Sequence, residues 1–250
     1  MRAFSYDLHI HSCLSPCGDD EATPNSIAGL ASLIGLEILA LTDHNSTKNC
    51  PAFFEAAERY GIIPVGGMEL TTSEDVHMVC LLPTLEAAMD FGAEVEKRRI
   101  LVPNRREIFG NQRILDADDV VIGEEENLLI NATTLSLEEG AALAARFGGV
   151  AFPAHIDRES NGIIAVLGSL PESPYFPTVE LHDGTLEGRY RREQNLGNRW
   201  VIVSSDAHRL EDLSEAEHFL HLEGDPADPQ SVRDALMELL SRERSERGAD

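Results

Sequence analysis

The sequence predicts an α/β fold with a largely parallel sheet and helices outside it. Short apolar runs alternate with stretches of helical periodicity, and Pro, Gly and Thr mark the boundaries between them. The chain has 250 residues, of which 42% are hydrophobic. This is enough for the core of one main domain as large as an α/β barrel.

The first half of the chain carries this alternation most clearly. Strands are predicted at residues 4–10, 37–42 and 62–67, with helices at 23–35 and 50–61 between them. Thr23 suits the N-cap of the first helix, Pro24 suits its first turn, and Gly35 suits its end. Pro51 and Gly61 repeat the pattern around the second helix, so we expect two consecutive βα units.

The second half resumes the pattern after an interruption at residues 99–135, which are charged and only weakly periodic. The elements predicted on either side are a strand at 74–83, a helix at 84–98, a helix that opens on the capping-box spacing Ser136-x-x-Glu139, strands at 150–155, 178–183 and 200–208, and a helix at 229–241. We therefore predict a barrel domain from 1–98 and 136–241, an inserted subdomain or lid at 99–135, and a solvated tail at 242–250.

The charge of the chain restricts its expected partners. Lys and Arg number 20 against 44 Asp and Glu, a formal net charge of −24. Such a field repels long polyanions and anionic membranes, so we expect no stable binding to duplex DNA and no membrane association. A small phosphorylated substrate is the expected partner, because bound divalent cations can reverse the potential inside one pocket. The oligomeric state is left open.

The expected location is the cytoplasm. No apolar run is long enough to span a membrane, and the first residues lack the basic start and apolar core of a signal peptide. Four cysteines are too few and too irregularly spaced for a disulfide framework, so we expect reduced thiols.

The placement of the histidines is the most informative feature of the sequence. Seven of the nine lie within or at the end of an apolar run that predicts a strand: His9, His11, His44, His77, His155, His182 and His208. Because the ends of parallel strands share one face in α/β folds, this topology would gather the imidazoles there.

Carboxylates accompany these histidines. His9 and His11 are two positions apart on a strand and project from the same side, so they can bind one ion together. Glu69 and Asp206 lie at other predicted strand ends. This donor set exceeds the need of one four-coordinate ion, which predicts two or three divalent ions such as Zn²⁺, Mn²⁺ or Fe²⁺. Paired ions would lower the pKa of a shared water and supply hydroxide for phosphoester hydrolysis.

Six motifs occur in an order that resembles the polymerase and histidinol phosphatase (PHP) superfamily. They are DLHIHS, ALTDHN, GGMEL, VHMVCLL, PAHID and SSDAH, and they run from residue 7 to residue 208. The resemblance implies a distorted (β/α)7 TIM-like barrel of the PHP type, here with an inserted subdomain, and a trinuclear metal centre at the C-terminal face.

The resemblance also implies a ligand set by motif position. His9, His11, Glu69 and Asp206 would bind a first ion with Glu69 as a bridge; an early aspartate, His44 and His208 would bind a second; His77 and His155 would bind a third. In the family the early aspartate follows the second histidine in a Ser-Asp-Gly turn, whereas this chain has the longer SCLSPCGDDEATP. Counting back from the Thr-Pro that opens the helix selects Asp19, with Asp20 as the alternative.

Residues outside this set are candidates for other roles. Cys13 and Cys17 lie in the early loop, but free cysteines are usually small buried apolar residues. Asp43 would orient an imidazole, accept a proton from water, or cap the next turn. His182 would be a further ligand, a general acid or a structural histidine. Arg158 is a candidate for a bidentate contact with a substrate phosphate. Three arginines of the insertion could do the same from a lid: Arg105, Arg106 and Arg113.

These features predict a metal-dependent phosphoesterase that hydrolyses a small phosphorylated metabolite, such as a nucleotide, a nucleoside bisphosphate or a short oligonucleotide. A histidinol-phosphate-type phosphatase is one alternative, and a metal-stabilised regulatory module without activity is another. Hydrolysis of a C–N bond, as in amidohydrolases, is a third. Those enzymes typically add a strand-borne lysine ligand, and the only lysines here, Lys48 and Lys97, lie in helical or loop contexts.

Overall fold

The computed structural model describes residues 1–244, which form ten β-strands and eight α-helices. The strands are β1 (Arg2–Ile10), β2 (Ile38–Leu41), β3 (Ile63–Thr71), β4 (His77–Leu82), β5 (Arg113–Leu115), β6 (Val121–Glu124), β7 (Val150–Pro153), β8 (Thr178–Leu181), β9 (Trp200–Val203) and β10 (Phe219–Leu222). The helices are α1 (Pro24–Ile34), α2 (Cys50–Tyr60), α3 (Leu85–Glu96), α4 (Arg106–Phe109), α5 (Leu137–Arg146), α6 (Ile163–Leu167), α7 (Glu187–Glu193) and α8 (Pro229–Leu240). Most of the predicted tail, residues 245–250, lies outside the described residues.

Six strands form one curled sheet in the order β10-β1-β2-β3-β4-β7, while β8 and β9 form a separate parallel pair. Two main-chain hydrogen bonds of 2.9 Å connect this pair to the chain just after β7 and just after β1: Ile156 N–H donates to Glu180 O in β8, and His11 N–H donates to Ala207 O after β9. The result is a mixed α/β fold with a half-barrel sheet, which confirms the α/β class. The (β/α)7 closure stays a prediction.

The expectation of a largely parallel sheet is wrong, because β4 runs antiparallel to both β3 and β7, and β10 runs antiparallel to β1. A turn at residues 72–76 joins β3 to β4, and Thr71 pairs with His77. A parallel crossover needs about a dozen residues or more, so a turn this short permits only antiparallel neighbours. Asp75 takes the left-handed φ of 65° within this turn. The reversal brings His77 to the edge where β3 ends.

The predicted ends of α1 and α5 are confirmed. The Thr23 hydroxyl accepts a hydrogen bond from the Ser26 N–H, and Gly35 ends α1 with a φ of 86°. At α5 the Ser136 hydroxyl accepts from the Glu139 N–H while the Glu139 carboxylate accepts from the Ser136 N–H, which is the capping box. None of the helices within residues 1–244 combines the length and apolarity needed to cross a membrane.

The pairing of β1 with β2 is irregular near the two histidines at the end of β1. The register of β1 against β2 shifts between Asp7 and Ile10. Leu8 packs in the apolar cluster shared with β4 and β9, whereas Ile10 packs in the cluster shared with α1 and α2. At this irregularity His9 and His11 both face β3, where both lie near the same glutamate.

The segment 99–135, with α4 and the β5–β6 pair, packs against loops that carry candidate ligands. The Asn45 side chain, next to His44, donates to Leu129 O (2.7 Å). The Asn49 side chain accepts from Leu115 N–H (3.0 Å). Hydrogen bonds therefore tie this segment to the loop after β2.

Candidate metal centre

Glu69 lies at the middle of the site, where β3 extends past the end of β2 and forms a β-bridge with His44. Its carboxylate is buried. Oε2 lies 3.0 Å from His44 Nδ1 and 3.2 Å from His11 Nε2. Oε1 lies 2.7 Å from His77 Nδ1 and 3.0 Å from His155 Nε2. The two oxygens of this one carboxylate therefore face different imidazoles.

Asp206, which follows β9, closes another side of the site. Its Oδ1 lies 3.2 Å from His11 Nε2 and 3.4 Å from His9 Nε2. The ring of His208, two residues further on, stacks on that of His11 with the centroids 4.2 Å apart. Side chains from both ends of the chain therefore meet here.

The donor atoms fall into three groups, in each of which they lie within 4.8 Å of one another. The groups share members and comprise His9, His11, Glu69 and Asp206; His44, Glu69 and His77; and His11, His44 and His208. Three of the buried atoms, Glu69 Oε2, Asp206 Oδ1 and His44 Nδ1, have no hydrogen-bond partner within residues 1–244. An unpaired buried polar atom is costly, so unpaired nitrogen and oxygen atoms gathered in one cluster fit a site for divalent cations.

The electrostatics divide the imidazoles into two kinds. Burial lowers the pKa of His44 to about 4, and burial together with the His11 charge lowers that of His208 to about 3, so both are neutral and able to bind metal near pH 7. Burial also acts to lower the pKa of His11, but the nearby carboxylates of Asp206 and Glu69 outweigh it and raise this pKa to about 9. A proton on His11 thus supplies positive charge that a bound cation would replace.

Two candidate ligands stand on strained backbone. The φ of His155 is 27° and that of Asp206 is 52°. Residues other than glycine rarely adopt this left-handed region, and such strain of about 1–3 kcal/mol concentrates at functional sites. The fold therefore holds both side chains in place at a cost in stability.

Asp43 acts on the site through a serine. Ser15 Oγ donates to Asp43 Oδ1 (2.7 Å) and accepts from His11 Nδ1–H (2.9 Å). Asp43 also accepts from the Ser12 N–H (2.8 Å) and hydroxyl (2.7 Å). A proton on Nδ1 leaves Nε2 of His11 free to face Glu69, so this arrangement supports the orienting role among those predicted for Asp43.

Arg158 and His182 lie beside Asp206. The Arg158 Nη1 donates to Asp206 Oδ2, and its Nη2 lies 3.3 Å from the His182 ring nitrogens. The Arg158 side chain is 39% exposed, whereas that of Asp206 is buried. His182 is exposed and belongs to none of the three donor groups among the described residues. The pair therefore borders the solvent-facing side of the centre.

The structure does not bring Asp19 into the donor groups found in residues 1–244. Asp19 is exposed, and its carboxylate accepts from the Glu21 N–H (2.9 Å). Its own N–H donates to His208 O (2.9 Å), so the loop passes close to the centre. Burial raises the pKa of the Cys13 thiol to about 12, which keeps it protonated, while Cys17 is exposed. The ligand role of Asp19 stays a prediction.

Two of the three arginines of segment 99–135 that were candidates for phosphate binding, and both lysines, pair with acidic side chains outside the donor groups. Arg106 pairs with Glu124, and Arg113 pairs with Asp20 at 3.0 Å. Arg105 is exposed. The lysines bind acidic partners outside the donor groups: Lys48 binds Glu96 (2.8 Å) and Glu125 (2.6 Å), and Lys97 binds Glu94 (2.6 Å). No lysine therefore lies in the position that an amidohydrolase-type ligand would occupy within the described chain.

Sequence reasoning missed two residues that contact the ligands. Glu180, on β8, lies with Oε1 2.8 Å from His9 Nδ1. Ser15 links Asp43 to His11. A charged residue inside the apolar run TVEL is a signal that could have found Glu180, whereas a loop serine carries no such signal.

A model of the PHP domain matches residues 7–243. The chain belongs to the PHP domain family. This membership bears out the resemblance seen in the sequence. It also supports classification of the chain as a hydrolase of phosphoester bonds. The family is metal-dependent, in keeping with the His, Glu and Asp clusters around Glu69.

Curated relatives match this PHP chain over short segments. Phosphoribosyl 1,2-cyclic phosphate 1,2-diphosphodiesterase of Eggerthella lenta is 38% identical over 65 residues, which cover 26% of this chain and 24% of that protein. The matches span between 6% and 24% of the length of the curated relatives.

Solved structures share the fold over most of the PHP chain. The lesion-specific endonuclease Q of Pyrococcus furiosus has a TM-score of 0.65 at 18% identity, over 95% of this chain and 56% of that one. A complex of endonuclease Q with a 27-mer duplex carrying an abasic lesion has a TM-score of 0.64 at 19% identity, over 95% and 57%. A metal-dependent phosphoesterase of Bifidobacterium adolescentis has a TM-score of 0.56 at 19% identity, over 93% and 96%.

The exclusion of duplex DNA as a partner, which we drew from the net charge, is wrong. Endonuclease Q has this fold and holds duplex DNA at its active site. Net charge is a sum over the whole molecule, whereas binding depends on the potential at one face, and bound cations change that potential. The restriction to small phosphorylated substrates is withdrawn with it.

Proposed function

We propose that this PHP chain is a metal-dependent phosphoesterase that acts on phosphoesters of pentose-containing compounds. One observation carries the proposal: imidazoles and carboxylates from distant segments converge around Glu69 with unpaired buried donor atoms, and an arginine borders the open side. That combination suits a cation-dependent site for a phosphate group.

The proposed ligands are the side chains around the centre, which suit two or three ions of the Zn²⁺, Mn²⁺ or Fe²⁺ type: His9, His11, His44, Glu69, His77, His155, Asp206 and His208. Cations bound there would supply Lewis acidity toward phosphate oxygens and lower the pKa of water. The two oxygens of Glu69 face different imidazoles, which supports a bridging role.

Arg158 and His182 are the proposed substrate-facing groups. The Arg158 side chain is 39% exposed, with Nη1 bonded to Asp206 and Nη2 beside His182, and its remaining N–H groups would bind phosphate oxygens. The His182 imidazole lies 3.3 Å from Arg158, so it would lie beside a phosphate bound by the guanidinium. His182 would donate a proton to the leaving oxygen of that phosphate. Asp43 and Ser15 keep His11 oriented.

The pentose assignment rests on the relatives. The Eggerthella lenta enzyme acts on a phosphoribosyl cyclic phosphate, and endonuclease Q acts on duplex DNA with an abasic lesion. Both substrates carry a phosphodiester on a pentose. Nucleotides, nucleoside bisphosphates, short oligonucleotides and DNA all belong to this class, whereas histidinol phosphate does not.

The test compares substrates after controlled metal loading. Chelator-treated protein is reconstituted with Mn²⁺, Zn²⁺ or Fe²⁺ and assayed on p-nitrophenyl phosphate and its bis ester, a nucleoside 3′,5′-bisphosphate, dinucleotides, abasic duplex DNA and histidinol phosphate. We expect hydrolysis of pentose phosphoesters only after reconstitution. Turnover of histidinol phosphate alone would contradict the substrate class. Full metal loading without hydrolysis of any compound would support the non-catalytic module instead.

A further inference from the structure

We infer that Glu180 is a positioning residue that sets the orientation of two metal ligands, His9 and His155, from outside the ligand set. Glu180 lies on β8 and is 1% exposed. Its Oε1 lies 2.8 Å from His9 Nδ1 and 3.0 Å from the His155 main-chain nitrogen. This inference rests on the proposed metal centre, and its test needs no substrate.

The contact with His9 fixes which ring nitrogen faces the centre. A carboxylate only accepts hydrogen bonds, so His9 donates from Nδ1 to Glu180. Nε2 of His9 then points at the centre, 3.4 Å from both Glu69 Oε2 and Asp206 Oδ1. When a carboxylate accepts a hydrogen bond from the ring nitrogen that does not bind the metal, it fixes the tautomer of the histidine and raises the basicity of the ring.

The contact with His155 holds a strained segment. His155 has a φ of 27°, and its N–H donates to the Glu180 carboxylate. The next residue, Ile156, donates its N–H to the Glu180 carbonyl at 2.9 Å. Glu180 thus holds the main chain at residues 155–156 through both its side chain and its carbonyl. The His155 ring is held with Nε2 3.0 Å from Glu69 Oε1.

The surroundings of Glu180 argue against a purely structural role. Its strand neighbours Val179 and Leu181 are fully buried apolar residues. Among residues 1–244, His9 is the ion-pair partner within 4.0 Å, and Oε2 has no hydrogen-bond partner. A buried carboxylate without a Lys or Arg partner is costly, and an apolar side chain would pack there without that cost. Orientation of His9 and His155 explains why a carboxylate is present.

The test measures metal affinity in two variants. Glu180→Asp keeps the charge but shortens the side chain, so it loses reach to His9; Glu180→Gln keeps the reach but loses the charge. We expect Glu180→Asp to weaken Mn²⁺ binding about 10- to 100-fold in a chelator-competition titration. Glu180→Gln should retain part of the affinity, because its amide oxygen still accepts from both donors.

A matched control separates this role from general loss of a buried carboxylate. Glu125 is also buried, but it binds Lys48 and Arg99 instead of a ligand. We expect Glu125→Gln to bind Mn²⁺ as the unchanged protein does. Thermal unfolding of metal-free protein checks each fold. A lowered melting temperature with unchanged Mn²⁺ affinity in both Glu180 variants would overturn the inference.

A second measurement covers the case in which a variant does not fold. Nitrogen-15 NMR of the unsubstituted protein reports the tautomer of His9 directly. We expect a proton on Nδ1 in the Zn²⁺-loaded protein. A His9 with its proton on Nε2 would overturn the inference. Weak Mn²⁺ binding in Glu180→Asp, alongside no hydrolysis by the unsubstituted protein, would uphold the inference while the proposed function fails.

Discussion

At the scale of single residues, protons and cations compete for the same donor atoms. His11 is buried between Glu69 and Asp206, and these carboxylates raise its pKa to about 9 despite its burial. His44, buried with a pKa lowered to about 4, is already neutral at pH 7. Metal binding therefore requires loss of a proton from His11 but none from His44.

Binding of Mn²⁺ or Zn²⁺ near pH 7.5 should release protons, and the metal affinity should fall as the pH is lowered. The raised pKa of His11 means that, without metal, its proton stabilises the fold fully below pH 6.5, and that this contribution is lost as the pH rises through about 9. Calorimetric titration in buffers of different ionisation enthalpy measures the release. A buffer-independent binding enthalpy would contradict it.

Replacement of Arg158 by alanine should lower kcat/KM for a phosphodiester by about 10- to 100-fold, because a charge-assisted contact with phosphate is lost. Steady-state kinetics with the bis ester of p-nitrophenyl phosphate measure this loss. Arg105→Ala is the control, since Arg105 is an exposed arginine of the insertion. Equal losses of kcat/KM in both variants would contradict a role for Arg158 in binding the substrate phosphate.

The side chains that converge on Glu69 could be predicted from the sequence because their motifs occur in a fixed order. Their supporting residues could not. Ser15 lies in a loop with no periodicity, and the left-handed backbone of His155 and Asp206 leaves no trace in composition. In the early loop, counting positions selected Asp19, whose carboxylate accepts from the Glu21 N–H, and its ligand role stays a prediction.

At the scale of elements, strand direction decides which side chains meet. Apolar periodicity predicts that a strand exists but carries no information on its direction, so the antiparallel course of β4 had to come from the structure. The edge strand β10 was not predicted, because only four residues alternate in it. The helices α6 and α7 were also missed, because five and seven residues are too few to show a helical periodicity.

Asn49→Ala should lower the free energy of unfolding by about 2 kcal/mol or more. Asn49 is buried and bonds to Ser12, to the Arg113 carbonyl and to the Leu115 N–H, and each buried group left unpaired costs about 1–3 kcal/mol. Urea denaturation measures the change. Asn25→Ala, which removes one surface hydrogen bond of 3.3 Å, should stay within about 0.5 kcal/mol. Equal losses of unfolding free energy in the two variants would mean that Asn49 does not anchor segment 99–135 to the loop after β2.

At the scale of the whole molecule, the acidic charge and the metal centre are connected. A net charge of −24 favours uptake of divalent cations and opposes approach of phosphates until those cations are bound. The half-barrel sheet and the β8–β9 pair together make the centre possible, because they gather strand ends from distant parts of the chain, and that much followed from the predicted α/β pattern.

Saturating Mn²⁺ should raise the melting temperature, since a cation that binds only the folded state stabilises it by about 4 kcal/mol at a thousandfold excess over its Kd. Differential scanning calorimetry with and without chelator measures the shift. His9→Ala should abolish most of it, whereas His221→Ala, on the exposed face of β10, should leave it unchanged. A shift of equal size in both variants would place the cations elsewhere.

The most direct test is a crystal structure of protein loaded with Mn²⁺ or Zn²⁺, with anomalous diffraction recorded at the metal edge. We predict two or three anomalous peaks, all within bonding distance of the side chains around Glu69. Crystals with the metal in excess that show no peak among His9, His11, His44 and Asp206 would contradict the account.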